Sequence, residues 1–167
     1  MWQEACKRFT HSVHAILLET PRAGRRPRNI ETIGTSFSIK GKPDPFFITN
    51  AHVICKESGE AYDEKNLILA PYLPDGKGAA CGIGILFIEK SLDIAVFRAS
   101  EDAESAVPAV FAKPTILEVG TPVASIGFPI PPKTELYPGG GKFKIIKRLA
   151  TGFISGNNMQ INFLTLP

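Results

Sequence analysis

Two side chains in this sequence, His52 and Asp93, have the types and settings of a proton-transfer pair. His52 follows the apolar run at residues 46–48, and Asp93 directly precedes the apolar run at residues 94–97. An imidazole can take a proton near neutral pH, and a carboxylate can hold its ring in one tautomer. A carboxylate at the start of an apolar strand is expected to be partly buried, so it needs a partner to remain ionised. The histidine ring is a suitable partner.

Such a pair serves amide hydrolysis when a nucleophilic hydroxyl is added. The imidazole takes the proton of the hydroxyl, and the carboxylate stabilises the imidazolium that forms. A simpler interpretation remains for each residue: His52 as a structural histidine at a strand end, and Asp93 as a turn carboxylate. His11 and His14 have no comparable setting and are predicted to be strand or surface residues.

The nucleophile itself is missing from the settings in which it would be expected. Ser36 precedes both partners, and Ser125 and Ser155 lie inside predicted strands instead of on an exposed tight turn. Cys81 lies within an apolar strand, where a thiol is expected to be inert. Cys6 lacks the local sequence that surrounds a papain-type nucleophile.

The elements that must position this pair are predicted to be strands throughout. Short apolar or alternating runs are separated by turn residues, and no stripe with a 3.6-residue period is sustained. This pattern predicts an all-β, antiparallel barrel or sandwich. Six strands are expected before about residue 100, enough to close one small barrel, at residues 12–18, 32–39, 46–49, 66–70, 81–88 and 94–98.

The last third of the chain offers fewer strands. Three are expected, at residues 122–128, 144–155 and 159–164, with a Pro- and Gly-rich loop at residues 129–142. Three strands are too few to close a second barrel, so open edges are expected. Within the loop, residues 138–142 superficially resemble a phosphate-binding loop, but the required first glycine is absent and Phe143 stands where Ser or Thr would bind magnesium.

Four segments in order resemble the trypsin-like serine peptidases of the disulfide-poor microbial kind. The histidine segment is residues 49–53 and the aspartate segment is residues 93–96. A Gly-x-Pro-Val segment ending in Gly-Phe-Pro covers residues 120–129, and a Thr-Gly-Phe-Ile-Ser strand falls within residues 150–155. Each segment is weak alone, but the four in this order are fairly specific. The resemblance extends over roughly residues 10 to 167.

The resemblance implies a chymotrypsin-like antiparallel β-barrel fold with a complete first barrel and an incomplete second one. Residues 1–9 would be an N-terminal extension, residues 10–110 the first barrel with His52 and Asp93, and residues 111–167 a linker with the first part of the second barrel. It also implies that His52 is the general base and Asp93 its orienting carboxylate. The serine and the oxyanion-hole loop would follow residue 167, so this stretch alone is expected to be inactive.

Composition restricts the partners. A net charge of +3 is too small to indicate nucleic acid, and four arginines at residues 22–28 are interrupted by Pro and Gly, as in a solvated loop. No apolar run approaches the length of a membrane span. Three unpatterned cysteines indicate neither a disulfide framework nor a metal site, and no cofactor is expected. The absence of a signal-like N-terminus favours the cytoplasm, and a polypeptide substrate is the expected partner.

Two functions of different class remain open from the sequence. The first is a serine endopeptidase whose nucleophile lies downstream of this stretch. The second is a non-catalytic, protease-like domain that binds a peptide or partner through the open edges of the second barrel. Retention of both His52 and Asp93 favours the first, because a binding module needs neither.

Overall fold

The computed structural model describes residue 4 and residues 9–20, 29–71, 80–100, 106–110, 119–128, 134–135, 148–153 and 164–165. Several sequence predictions concern positions outside these residues. They are Cys6, Ser155, the arginine-rich loop, the loop at residues 138–142, and parts of the last two expected strands at residues 144–147, 154–155 and 159–163.

Six antiparallel strands close into a barrel. They are β1 (Val13–Thr20), β2 (Asn29–Ile39), β3 (Phe46–Thr49), β4 (Leu67–Pro71), β5 (Cys81–Glu89) and β6 (Ile94–Ala99). The pairing order β1-β4-β5-β6-β3-β2 is closed by pairing of β1 with β2. Closure pairs each strand on both sides, which removes the open edges of a flat sheet. The predicted all-β fold with a complete first barrel is confirmed.

A second, partial sheet follows the barrel. It contains β7 (Pro122–Gly127), β9 (Arg148–Phe153) and β10 (Leu164–Thr165), in the order β10-β9-β7. This sheet agrees with the predicted incomplete second barrel. A short strand between them, β8 (Thr134–Glu135), was not predicted and pairs with the start of β2. Two residues carry no detectable alternation, so only the pairing defines this strand.

Two short helical turns lie between the barrel strands. The first is α1 (Ala51–Ile54), which directly follows β3, and the second is a 3-10 turn at Glu64–Asn66 before β4. The sequence predicted only a polar turn after β3, because four residues are too few to show a helical period. Within the described residues, none of the helices has the length and apolar character needed to cross a membrane.

Stacked aromatic rings hold together the two strands that flank the histidine and aspartate segments. Phe47 on β3 and Phe97 on β6 are register partners and are fully buried. Their ring centroids are 5.4 Å apart and the planes differ by 12°, a favourable stacked contact. This pair fixes the register of β3 against β6. The same core contains Ile16, Leu18, Ile54, Leu67, Leu69, Ile83 and Ala95.

His14 on β1 is a buried histidine whose ring nitrogens have no partner in the described part of the chain. It is 2% exposed and packs edge-on against Phe47, with the ring centroids 5.2 Å apart. Neither Nδ1 nor Nε2 has a hydrogen-bond partner among the described residues. Burial, with a smaller contribution from the charge of His11, lowers the pKa of His14 to about 4. His14 is therefore neutral in the folded protein at neutral pH.

We expect His14 to make the fold acid-sensitive. The unfolded chain binds a proton at a pKa near 6.5, whereas the folded chain resists it until about pH 4. The stability that neutral His14 contributes is therefore fully present above 6.5, the pKa of the unfolded chain. It is lost as the pH falls from 6.5 towards 4. The loss between about pH 7.5 and about pH 4.5 should be roughly 2–3 kcal/mol. Urea unfolding at both pH values measures it.

A leucine at position 14 tests this expectation, because it keeps an apolar group in the barrel and has no titration. His14→Leu should lose less stability than the wild type over the same pH interval, by roughly 2–3 kcal/mol. His11→Asn is the matched control and should retain most of the wild-type acid loss. Equal acid loss in wild type and His14→Leu would contradict the assignment.

Candidate active site

His52 is presented by α1 at the end of β3. Thr49, the last residue of β3, is buried, and its hydroxyl donates to the carbonyl of Thr35 at 2.8 Å. Ala51 and Ile54 are the buried residues of α1 and anchor the helical turn against the barrel. Between these anchors the His52 side chain is 72% exposed. The sequence thus places an accessible imidazole on a rigid turn.

A glycine on β2 permits this close packing of α1. A Cβ atom added at Gly34 would lie 2.5 Å from Cγ1 of Val53, which is shorter than real side-chain contacts allow. A larger residue at this position would therefore force the Val53 side chain, which α1 carries next to His52, to shift. Gly34 therefore supports the site by leaving room for Val53, although it has no side chain that could take part in the chemistry.

Asp93 ends the turn that connects β5 to β6. Its main-chain N–H donates to the carbonyl of Lys90 at 3.2 Å. Within the same turn, Ser91 donates from its N–H and its hydroxyl to Oε1 of Glu89, at 2.9 and 2.6 Å. Asp93 itself has φ of 53°, in the left-handed region. A residue other than glycine held there costs on the order of 1 kcal/mol, and such strain is common at functional sites.

The barrel brings His52 and Asp93 together across 41 residues of sequence. Nδ1 of His52 lies 2.7 Å from Oδ2 of Asp93, and the main-chain N–H of His52 donates to Oδ1 at 2.9 Å. An ionised carboxylate only accepts hydrogen bonds, so Nδ1 carries the proton and Nε2 has a free lone pair. This is the tautomer in which an imidazole can take a proton from a hydroxyl group.

Hydrogen bonds keep Asp93 ionised. The main-chain N–H of His52 is the largest cause that lowers the pKa of Asp93 below its usual range. Partial desolvation opposes the shift, while donors on the His52 ring and the Asn50 side chain reinforce it. The Asp93 side chain remains 43% exposed, so the sequence prediction of a partly buried carboxylate agrees with the structure. Its charge is available to stabilise an imidazolium at neutral pH.

Asn50 lies within the histidine segment at residues 49–53 and is a further member of the site, for which its type and position predicted no role. Its Nδ2 lies 3.0 Å from Oδ2 of Asp93 and 3.3 Å from the main-chain oxygen of the same residue. The only sequence signal was its position, two residues before His52. A hydrogen bond to a residue 43 positions away leaves no mark in a local pattern.

A shallow depression of about 180 Å³ lies beside the pair. Lys56 at its border forms an ion pair with Glu60 at 3.6 Å. Cys55, also at the border, is a free, half-buried thiol. The lining of the depression consists of Ala51, His52, Cys55, Lys56, Gly59, Lys90 and Asp93.

The described serines and the cysteine that were considered as nucleophiles lie at positions unsuited to that role. Ser36 is fully buried on β2, and Ser125 lies within β7. Cys81 is half-buried on β5, with its sulfur 4.0 Å from the carbonyl oxygen of Leu69. Throughout the part of the chain that the structure describes, no group of three or more His, Cys, Asp and Glu side chains could hold a metal ion.

The fold and the pair define a class. A closed six-stranded antiparallel barrel, a partial second sheet and an aspartate that orients a histidine are the features of chymotrypsin-like peptidase folds. Residues 34–164 match the family described as the trypsin-like peptidase domain. This chain therefore belongs to the trypsin-like peptidase family, which confirms the resemblance seen in the sequence.

Solved structures agree on the fold. The chain is similar to the structure described as "HtrA-type protease AlgW with decapeptide", with a TM-score of 0.64 and 16% sequence identity. The likeness covers 97% of this chain and 48% of that one, so the chain spans about half the length of the protease it matches. A search of the curated proteins found no match.

Proposed function

We propose that this chain is the part of a serine endopeptidase that carries the general base and its orienting carboxylate. The observation that supports this most directly is the His52 ring, whose Nδ1 binds Asp93 at 2.7 Å and whose Nε2 can accept a proton. Family membership supports a peptidase. The decapeptide named with the similar protease supports a polypeptide substrate.

The proposed reaction follows from this geometry. Nε2 of His52 takes the hydroxyl proton of a serine while the serine oxygen attacks the peptide carbonyl carbon. Asp93 stabilises the imidazolium, which then donates its proton to the leaving nitrogen as the C–N bond breaks. Water hydrolyses the resulting ester by the same steps, with His52 again acting first as base and then as acid. The products are a carboxylic acid, an amine and the free serine.

The proposal assigns the serine to residues downstream of Pro167. The order His, Asp, Ser along the chain requires a nucleophile after Asp93. Ser125 lies within β7 instead of on an exposed turn. The oxyanion-hole amides would belong to the same downstream loop. Because a peptidase lacking both its nucleophile and its oxyanion donors loses nearly all rate enhancement, the chain of 167 residues is expected to be inactive by itself.

A second candidate is a non-catalytic domain that binds a peptide or a partner. In the described part of the chain, β7 and β10 are the outer strands of the three-stranded sheet and each has one neighbour. An extended peptide can add to such an edge through main-chain hydrogen bonds. This candidate gives no role to the His52–Asp93 hydrogen bond, which is why the peptidase is preferred.

A fluorophosphonate probe tests the proposed function. It reacts with a serine that an adjacent base activates, so we would express the reading frame through the region that follows codon 167, here called the extended protein. We expect covalent labelling of one serine in a Gly-x-Ser-Gly segment of the extended protein. The chain of 167 residues and heat-denatured extended protein are the controls and should remain unlabelled.

Two results would contradict the peptidase and favour the binding domain. One is a reading frame that closes at Pro167 or continues without a serine loop. The other is an extended protein that contains the serine segment and folds, yet is not labelled. Retention of a β-strand-forming peptide by the folded chain would then be the next measurement.

A further inference from the structure

The backbone of Asp93 is in a conformation that few side chains other than glycine adopt. Its φ of 53° lies in the left-handed region, where Asp and Asn are tolerated better than most residues. The backbone torsions set the direction of the Cα–Cβ bond. Whatever holds Asp93 in this conformation therefore also sets the direction from which its side chain approaches His52.

One side-chain amide contacts both parts of Asp93. Nδ2 of Asn50 lies 3.0 Å from Oδ2 and 3.3 Å from the main-chain oxygen. Both of these oxygens only accept hydrogen bonds, so the amide must present its NH₂ group, which carries two hydrogens. Asn50 thereby restrains the carboxylate and the left-handed backbone at the same time.

The Asn50 side chain does not cap the helical turn that it precedes. Asn50 is the N-cap residue of α1, where an Asn side chain commonly accepts a hydrogen bond from the first turn. Here the side chain makes no capping hydrogen bond. Its neighbours Thr49 and Ala51 are buried, which fixes the Asn50 backbone between the barrel and the helical turn. The amide is thus engaged with Asp93 instead of with the helix.

We propose that Asn50 is a positioning residue, whose amide holds the Asp93 carboxylate in line with Nδ1–H of His52. This inference rests on the proposed peptidase function. Oδ2 is the oxygen that accepts from the imidazole at 2.7 Å, and a second donor on it restricts rotation of the carboxylate. The Asp93 side chain is 43% exposed, so water would compete for Oδ2 if Asn50 were removed.

Electrostatics act in the same direction as the geometry. The Asn50 amide is among the donors that lower the pKa of Asp93, after the main-chain N–H and the ring of His52. Lys56 and Lys90 are the other charged residues that line the adjacent depression. Both lysines are unchanged in every variant below, so a changed pKa of Asp93 in Asn50→Ala reports on the lost amide.

The first test uses the chain of 167 residues and needs no activity. Carboxyl ¹³C chemical shifts of labelled aspartate are followed against pH by NMR in wild type, Asn50→Ala and Asn50→Asp. We expect the pKa of Asp93 to rise in Asn50→Ala, and to rise further in Asn50→Asp, where a second carboxylate replaces the donor. Ser91→Ala is the matched control in the same turn, because Ser91 bonds to Glu89, and should leave this pKa unchanged.

The second test uses the extended protein and separates positioning from folding. Asn50→Ala should lower kcat by roughly tenfold with little change in KM, the size expected for one hydrogen bond to a charged group at a partly exposed site. Ser91→Ala should retain the wild-type kcat. A changed thermal midpoint without a changed kcat would identify Asn50 as merely structural and overturn the proposal.

The two tests fail independently. An unchanged Asp93 titration in Asn50→Ala overturns the role of Asn50 whether or not the extended protein is a peptidase. An extended protein that never reacts with the fluorophosphonate probe overturns the peptidase, while the titration still decides whether the amide restrains Asp93.

Discussion

Replacing His52 by alanine is expected to lower kcat of the extended protein by roughly 10⁶-fold, as loss of the general base does in serine peptidases. Without the imidazole, no group takes the serine proton and none returns it to the leaving nitrogen. The free energy of unfolding should change by less than about 1 kcal/mol, because the His52 side chain is 72% exposed. Steady-state hydrolysis of a peptide substrate and urea unfolding measure the two quantities.

The control for this variant is another histidine, His11. His11 lies in the turn before β1 and has no role in the proposed reaction. His11→Ala should retain activity within a factor of about two, because His11 is a half-buried residue outside the site. If His52→Ala retained activity comparable to His11→Ala, His52 would not be the base. A parallel loss of activity and stability would instead indicate a structural histidine.

Replacing Asp93 by asparagine is the second large effect, an expected loss of roughly 10⁴-fold in kcat. The neutral amide can present its NH₂ to Nδ1 of His52, which favours the tautomer with Nε2 protonated. That nitrogen then cannot accept the serine proton. Asparagine also tolerates the left-handed φ of 53° at this position, so the backbone need not change. The loss of kcat should therefore result from the wrong tautomer of His52, while the fold stays intact.

Asp63 supplies the matched control for Asp93. It is an exposed aspartate with local hydrogen bonds, and its carboxylate lies 2.6 Å from the ammonium of Lys65. Asp63→Asn should leave kcat within a factor of about two, since exposed ion pairs contribute little. A loss in Asp93→Asn no larger than that in Asp63→Asn would show that Asp93 does not orient His52.

The barrel strands were predictable because their signal is local. Alternation and short apolar runs depend only on neighbouring residues, and all six predicted segments are strands in the structure. The strand ends were less predictable. β1 was expected at residues 12–18 but runs from Val13 to Thr20, because Glu19 and Thr20 pair with Ile30 and Asn29 on β2. Long-range pairing extends a strand beyond its apolar run.

The site was predictable in its parts but not in its assembly. His52 was identified by the polar turn that follows an apolar strand, and Asp93 by its place directly before another apolar strand. Both signals come from adjacent residues alone. Their separation of 2.7 Å depends on β3 pairing with β6 in one register. Their catalytic roles remain predictions until the variants above are measured.

By itself the sequence determined the all-β class, the six barrel strands, the family and the two residues proposed to act as base and orienter, because each depends on residue type and local order. The tertiary structure decided what Asn50 and His14 do. The Asn50 amide reaches Asp93, 43 residues away, and not its own helix. His14 lies inside the barrel without a hydrogen-bond partner among the described residues. A partner, or the lack of one, is set by strand register and burial, which join residues that no local pattern relates.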